Sequence, residues 1–311
     1  MIWLVGAGAM SVAYAKVLDA QKCEYRVIGR GEASAVIFKE KTGAEVYVGG
    51  VDLFLQSKPE QPSSVIVSVN ADHLFNTSMT LLNYGVKSLL IEKPGGLELS
   101  EINQLHCKAE SFGAEVFIAY NRRFYSSVIK ANELIEKDGG VTSFNFELTE
   151  WSHIIGGLEQ PKAVLSKWFI ANSTHVADMA FFLGGKPEEI CCFTAGKLDW
   201  HKNSAIFSGA GIATNGALFN YAANWESAGR WSVEILTKEN RYIFRPIESL
   251  LVQKRGTIPH VSVELDDQLD IDFKPGLYKQ VECFLSGKTQ GLCSISEHLS
   301  RFPIYEKMAN Y

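Results

Sequence analysis

The chain has 311 residues, 46% hydrophobic and 21% charged, and carries a formal net charge of −5. That length exceeds one ordinary core and predicts two domains. The composition is that of a soluble globular protein, and the acidic balance excludes the basic footprint of nucleic-acid binding. No apolar run approaches the roughly 20 residues of a membrane helix, so no membrane partner is expected. The opening MIWLVGAGAM has no basic segment of the kind an export signal carries. Six scattered cysteines (Cys23, Cys107, Cys191, Cys192, Cys283, Cys293) form no CxxC pair and sit in no His-rich cluster. A reduced, cytoplasmic protein without a metal site is therefore expected.

Over residues 1–120, short apolar runs alternate with helical stretches. Strands are predicted at 1–5, 25–28, 64–69, 87–91 and 114–119, with another near 45–48, and helices at 74–83 and 100–112. Strand–helix repetition predicts a parallel sheet covered by helices. The rhythm changes after Arg123. A helix over 126–137 ends at KDGG, and strands follow at 141–151, 189–198, 203–211, 215–225, 229–238 and 241–246. Short Gly/Asn turns between them predict an antiparallel or mixed sheet. Helices at 174–183, 276–286 and 294–309 complete an α+β half. The division is expected at 1–120 and 121–311.

The first strand runs directly into Gly6-Ala7-Gly8-Ala9-Met10-Ser11. In the dinucleotide-binding turn, the first glycine permits the sharp bend and the second lets the backbone approach a pyrophosphate. The following helix offers its unpaired N–H groups to that phosphate. Here Ser11 takes the place of the third glycine. Gly6, Gly8, Ala9 and Met10 are the predicted cofactor contacts, because the motif follows an N-terminal strand within a βαβ repeat. The second strand, YRVI, should end in a carboxylate if the cofactor were NAD. It is followed instead by Gly29-Arg30-Gly31-Glu32. A guanidinium grips a 2′-phosphate through charge-assisted hydrogen bonds, so Arg30 favours NADP over NAD. Glu32 argues the other way if the loop turns it toward the ribose.

Together with this loop, SVIVSVNADH (64–73), IEKPGG (91–96) and YNRRF (120–124), in that order, make the chain resemble the Gfo/Idh/MocA oxidoreductases. The resemblance covers essentially the whole length. It implies an N-terminal Rossmann domain and a C-terminal α/β domain built on a large open, mainly antiparallel sheet. Its most specific element is Glu92-Lys93-Pro94 at the end of a strand. Ligands of open α/β sheets bind beyond the carboxyl ends of the strands, where Lys93 lies. The resemblance gives Lys93 the catalytic role of donating a hydrogen bond to the reacting oxygen, with Glu92 supporting the site. Ser68 and Asn70 match the family's turn near the nicotinamide, with Val69 where that turn has proline. His73 is either a packing residue at a helix start or a cofactor contact.

The second catalytic candidate is His175, in the first turn of a predicted amphipathic helix. Asn172 or Ser173 is the predicted N-cap, and Val176, Met179, Ala180 and Leu183 form the buried stripe. An N-terminal position keeps the imidazole neutral and able to take a proton. Asp178, one turn on, is placed to fix its tautomer. The family pattern is D-x-x-x-H-x-x-D, and this chain has Ala171 where the first Asp stands. Arg123, Trp168, Asn172 and Asp178 are the expected substrate contacts, with Arg122, Glu150, His153, Lys167, Trp225 and Arg230 as alternatives. Each of these alternatives fits a sheet face or a subunit interface equally well.

The resemblance thus implies an NAD(P)-dependent oxidoreductase acting on CH–OH groups of a sugar, sugar nucleotide or polyol. It also implies a homodimer or homotetramer built through the C-terminal sheet. A non-catalytic NADP-binding regulator and a reductase like biliverdin reductase share the architecture and stay open as alternatives.

Overall fold

A computed structural model describes all of residues 1–311. The chain divides into two compact units, Met1–Asn121 with Leu269–Phe302, and Arg122–Gln268 with Pro303–Tyr311. The expected division at 120/121 differs from this, because residues 269–302 fold into the first unit. No helix is long and apolar enough to cross a membrane.

The first unit is doubly wound. Its strands are β1 (Ile2–Val5), β2 (Tyr25–Ile28), β3 (Val46–Tyr47), β4 (Ser64–Val67), β5 (Ser88–Glu92) and β6 (Glu115–Ala119). Between them run helices α1 (Ala9–Ala20), α2 (Glu32–Thr42), α3 (Gly50–Gln56), α4 (Leu74–Tyr84) and α5 (Leu99–Phe112). The central strands are fully apolar because both faces are covered: every residue of β1 is buried, as are Val65–Val67 and Leu89–Ile91. All pairings among these six strands are parallel. The order β6-β5-β4-β1-β2-β3 shows that the chain winds outward one way from β1 and the other way from β4. The switch point lies between β1 and β4, and beyond their carboxyl ends such sheets bind ligands.

In the second unit α6 (Ser126–Lys137) leads to β7 (Ser143–Glu147), then to short helices α7 (Ser152–Ile155) and α8 (Lys162–Ser166). A π-helical turn, Phe169–Ser173, continues into α9 (Thr174–Gly184). Strands β8 (Pro187–Ala195), β9 (Ile206–Ala213), β10 (Leu218–Asn224), β11 (Ser232–Leu236), β12 (Asn240–Phe244), β13 (Leu251–Lys254) and β14 (Val261–Ser262) complete the sheet. Its order is β14-β13-β12-β11-β7-β10-β9-β8. Every neighbouring pair is antiparallel except β7 and β10, where Phe144 lies opposite Phe219. Alternation puts Phe144, Phe146, Phe219 and Tyr221 on one buried face, stacked in pairs at 5.1 and 5.5 Å. The opposite face keeps Phe193 72% exposed.

The chain then returns through α10 (Gln268–Asp272), α11 (Leu277–Leu285), β15 (Cys293–Ser294) and α12 (Ile295–Ala309). β15 pairs antiparallel with β6, Cys293 opposite Ile118, and so closes that edge of the first sheet. β13, β14 and β15 were not expected from the sequence, since strands of two to four residues carry too little alternation to register.

α9 corrects one expectation. It is buried along nearly its whole length, His175 and Asp178 included, rather than amphipathic. A helix buried on nearly all sides belongs to the core, and α9 packs on β7 and β11.

Candidate functional site

In the first unit a cavity of about 510 Å³ opens at the switch point. Its lining includes Gly6, Gly8, Arg30, Ser68, Asn70 and His73. Two glycines shape it for opposite reasons. Gly6 sits at φ +128°, and a Cβ there would meet the Ser68 carbonyl oxygen at 2.6 Å, so only glycine lets β1 and β4 close together. A Cβ on Gly8 would meet nothing within 4 Å. The protein's own packing does not demand glycine at that position, and the backbone there stays open to approach. α1 begins at Ala9 with no acidic residue in its first turn and no side-chain cap, which leaves its leading N–H groups for an anion. Ala9 and Met10 themselves do not line the cavity.

Ser11, in the place of the third glycine, is buried and hydrogen-bonds Ser68 through their hydroxyls at 2.8 Å. Ser68 thus lines the cavity while its side chain ties α1 to the end of β4. Asn70 is exposed at the rim.

At the end of β2, Gly29 has no room for a side chain: a Cβ would stand 2.7 Å from Val46. Arg30 follows and lines the cavity, whereas Glu32, exposed at the start of α2, does not. An Arg30 Nη1–H donates to His73 Nε2 at 2.9 Å. A guanidinium has no acceptor, so this bond fixes His73 in the Nδ1–H tautomer. His73 is therefore a cavity residue and the support of Arg30. Ser34 also lines the cavity, with its hydroxyl donating to the Gly31 carbonyl.

Lys93 follows the last residue of β5, half-buried, at the carboxyl edge of the sheet, and the Lys93–Pro94 bond is cis. His298 on α12 donates from Nε2 to the Pro94 carbonyl at 2.9 Å, holding the turn. Glu92 accepts a 2.6 Å hydrogen bond from the Tyr14 hydroxyl. Burial pushes the Glu92 carboxyl up, against the opposing pull of the Tyr14 bond and of Lys93 and Lys274. Burial beside that carboxyl also drives the Tyr14 phenol well up, so Tyr14 stays a donor. Neither Tyr14 nor His298 was singled out from the sequence. The available signal was a tyrosine inside the buried stripe Ser11, Tyr14, Ala15, Leu18 of α1, where a hydroxyl must find a partner.

In the second unit the expected N-cap of α9 is absent. The π-helical turn runs into the helix, Ser173 has helical dihedrals, and no side chain caps α9. Asn172 Nδ2 and Ser173 Oγ instead donate to Glu150 Oε1, at 2.9 and 2.7 Å. The helix-terminus argument for a neutral His175 therefore falls, because the backbone upstream is already wound. His175 lies with its ring 6.3 Å from that of Trp231. Asp178 is not a lone partner for the imidazole. Its two oxygens receive Arg123 Nε and Nη2 at 2.8 and 2.6 Å, a buried fork-to-fork pair with both side chains 1% exposed. Arg123 and Asp178 thus form one buried ion pair. Trp168 packs edge-on to Trp200.

A doubly wound parallel sheet with a glycine-lined cavity at its switch point, joined to an open and mainly antiparallel sheet, is an architecture shared with nicotinamide-linked dehydrogenases. No family model matches the sequence, and no curated protein matches it. Among solved structures the chain is similar to UDP-N-acetylglucosamine 3-dehydrogenase GnnA from Acidithiobacillus ferrooxidans, with TM-score 0.76 and 16% identity over 99% of this chain and 96% of that one. It is similar to an oxidoreductase from Agrobacterium radiobacter in complex with NAD+, L-tartaric acid and magnesium, with TM-score 0.80 and 14% identity over 99% and 96%. It is also similar to levoglucosan dehydrogenase in complex with NADH and L-sorbose, with TM-score 0.79 and 16% identity over 99% and 95%. At these identities the likeness establishes the fold, which is the one that the Gfo/Idh/MocA resemblance implies.

Proposed function

We propose that the chain is an NAD(P)-dependent oxidoreductase acting on a secondary alcohol or ketone of a sugar, sugar nucleotide or polyol. The observation that carries this reading is the cavity at the switch point, where Gly8 leaves open the approach a pyrophosphate needs. The names of GnnA and levoglucosan dehydrogenase support the same substrate class. A bound nicotinamide supplies the hydride acceptor or donor. Lys93, at the carboxyl edge of β5, donates a hydrogen bond to the substrate oxygen and stabilises negative charge developing there. Glu92 holds that ammonium electrostatically and is itself held by Tyr14. His175 takes or returns the hydroxyl proton, the role the resemblance assigns to it. Fluorescence titration with NADPH and NADH, followed by turnover assays over sugars, sugar nucleotides and polyols, tests the reading. A chain that binds neither nucleotide refutes it.

Arg30 favours NADP. No carboxylate ends β2 to repel a 2′-phosphate, Gly29 admits no side chain, and Glu32 stays off the cavity lining. Wild type is expected to bind NADPH about ten- to a hundred-fold more tightly than NADH, the worth of one charged contact. Arg30→Ala should lose most of that preference. Dissociation constants for both nucleotides check it, and tighter NADH binding by wild type would sink the assignment.

His175→Asn is expected to lower turnover roughly 10²-fold, with nucleotide affinity unchanged and the imidazole limb gone from the pH–rate profile. A wild-type pH profile in that variant would leave His175 as a packing partner of Trp231. A non-catalytic NADP-binding regulator is the second reading, favoured by Ala171. The resemblance implies a carboxylate at that position, and the structure has a buried methyl group in the π-helical turn. Tight nucleotide binding with no turnover on any substrate of the panel would select it.

A further inference from the structure

In the second unit, hydrogen-bond donors collect around one indole. The guanidinium carbons of Arg122 and Arg230 lie 4.9 and 4.7 Å from the Trp231 ring centre. Arg230 also lies 4.8 Å from the ring of Trp151, whose Nε1–H is fixed on the Gly229 carbonyl at 3.2 Å. Stacking on two aromatic rings holds a guanidinium in place without using its N–H groups. The carboxylate that faces Arg230 is Glu150, whose Oε2 stands 3.9 Å from Nη1, outside hydrogen-bond distance. Oε1 of the same carboxylate already receives Asn172 and Ser173. The other acid at hand, Glu147, takes the Arg230 backbone N–H and the Arg245 guanidinium. The Arg230 side chain is half exposed.

The second observation is independent of charge. Trp231 is 6% exposed, and its Nε1–H is buried with no protein acceptor. A buried donor without a partner is destabilising, and the guanidinium of Arg230 lies against the same ring. Guanidiniums and an indole N–H together select a ligand that brings acceptors and negative charge. The same indole ring lies 6.3 Å from the imidazole of His175.

We propose that Arg230 and the Trp231 N–H bind an oxyanion, carboxylate or phosphate, carried by the substrate. The substrate is then an acidic sugar derivative rather than a neutral sugar. This rests on the oxidoreductase reading only in calling the ligand a substrate. Calorimetric titration of the full chain with glucuronate, glucose 6-phosphate and glucose tests it, and the first two probes distinguish carboxylate from phosphate. At least one acidic probe should bind about tenfold or more tightly than glucose, with a preference that shrinks as salt is added. Arg230→Met should abolish the preference. Trp231→Phe, which keeps the ring and removes the N–H, should weaken the acidic probe several-fold and leave glucose unchanged. Equal binding of glucose, no measurable binding of either acid at millimolar concentration, or a preference retained in Arg230→Met would each overturn the proposal. NADPH titration of the same samples separates the two ideas. Nucleotide binding without acid preference removes the oxyanion site alone, and acid preference without nucleotide binding removes the oxidoreductase reading alone.

Discussion

Lys93→Met will lower turnover by about 10²–10³-fold, the loss expected for one oxyanion donor, and leave nucleotide affinity almost unchanged. Methionine keeps the length and apolar stem of the side chain and removes only the ammonium. The strand beneath it does not depend on that charge, since Leu89, Leu90 and Ile91 are fully buried and paired on both sides. Glu92 keeps its bond from Tyr14 and the field of Lys274. Loss of the Lys93 charge removes one of the influences holding the Glu92 carboxyl down, so that carboxyl will move further up in the variant. Steady-state kinetics and nucleotide titration on the same protein check both halves. Wild-type turnover would remove Lys93 from the chemistry, and a parallel fall in nucleotide affinity would make it a cofactor contact instead.

Asp178→Asn will destabilise the second unit by about 3–5 kcal/mol, because it leaves the buried Arg123 guanidinium without its bidentate counter-charge. For a chain of this size that corresponds to a Tm lower by roughly 10 °C. The penalty comes from the charge left behind, so the double variant Arg123→Met with Asp178→Leu will be more stable than Asp178→Asn alone. Thermal unfolding of the three proteins decides it. A melting temperature unchanged in Asp178→Asn would mean that the pair contributes little, and a double variant no more stable than Asp178→Asn would mean that the penalty does not come from the charge left behind.

These outcomes bear on different links of the chain from sequence to function, and the two residues were not equally legible. Lys93 was visible because a buried strand that stops at Glu-Lys-Pro is unusual in itself, and because the carboxyl edge of a parallel sheet is where ligands bind. Asp178 was visible only as a polar residue one turn after His175. Its partner stands 55 residues away at the start of the second unit.

The same contrast runs through the first unit. The Gly6–Gly8 turn, the strand–helix alternation and the missing carboxylate after β2 are local facts. Steric rules on φ and ψ, side-chain periodicity and helix ends act over a few residues, so sequence alone determined them. Tyr14 meeting Glu92 across 78 residues, and His298 holding Pro94 across 204, were decided only when separate elements packed together. The misplaced N-cap shows the mechanism most plainly. Asn172 and Ser173 have the side chains that cap helices, and locally capping is the best use for them. The buried Glu150 carboxylate competes for the same hydroxyl and amide donors, and a buried charge left unpaired costs more than a cap contributes. Local backbone geometry was therefore written in the sequence, whereas the partner of each buried polar group was chosen by the tertiary fold, which alone sets the local dielectric and the distances across it.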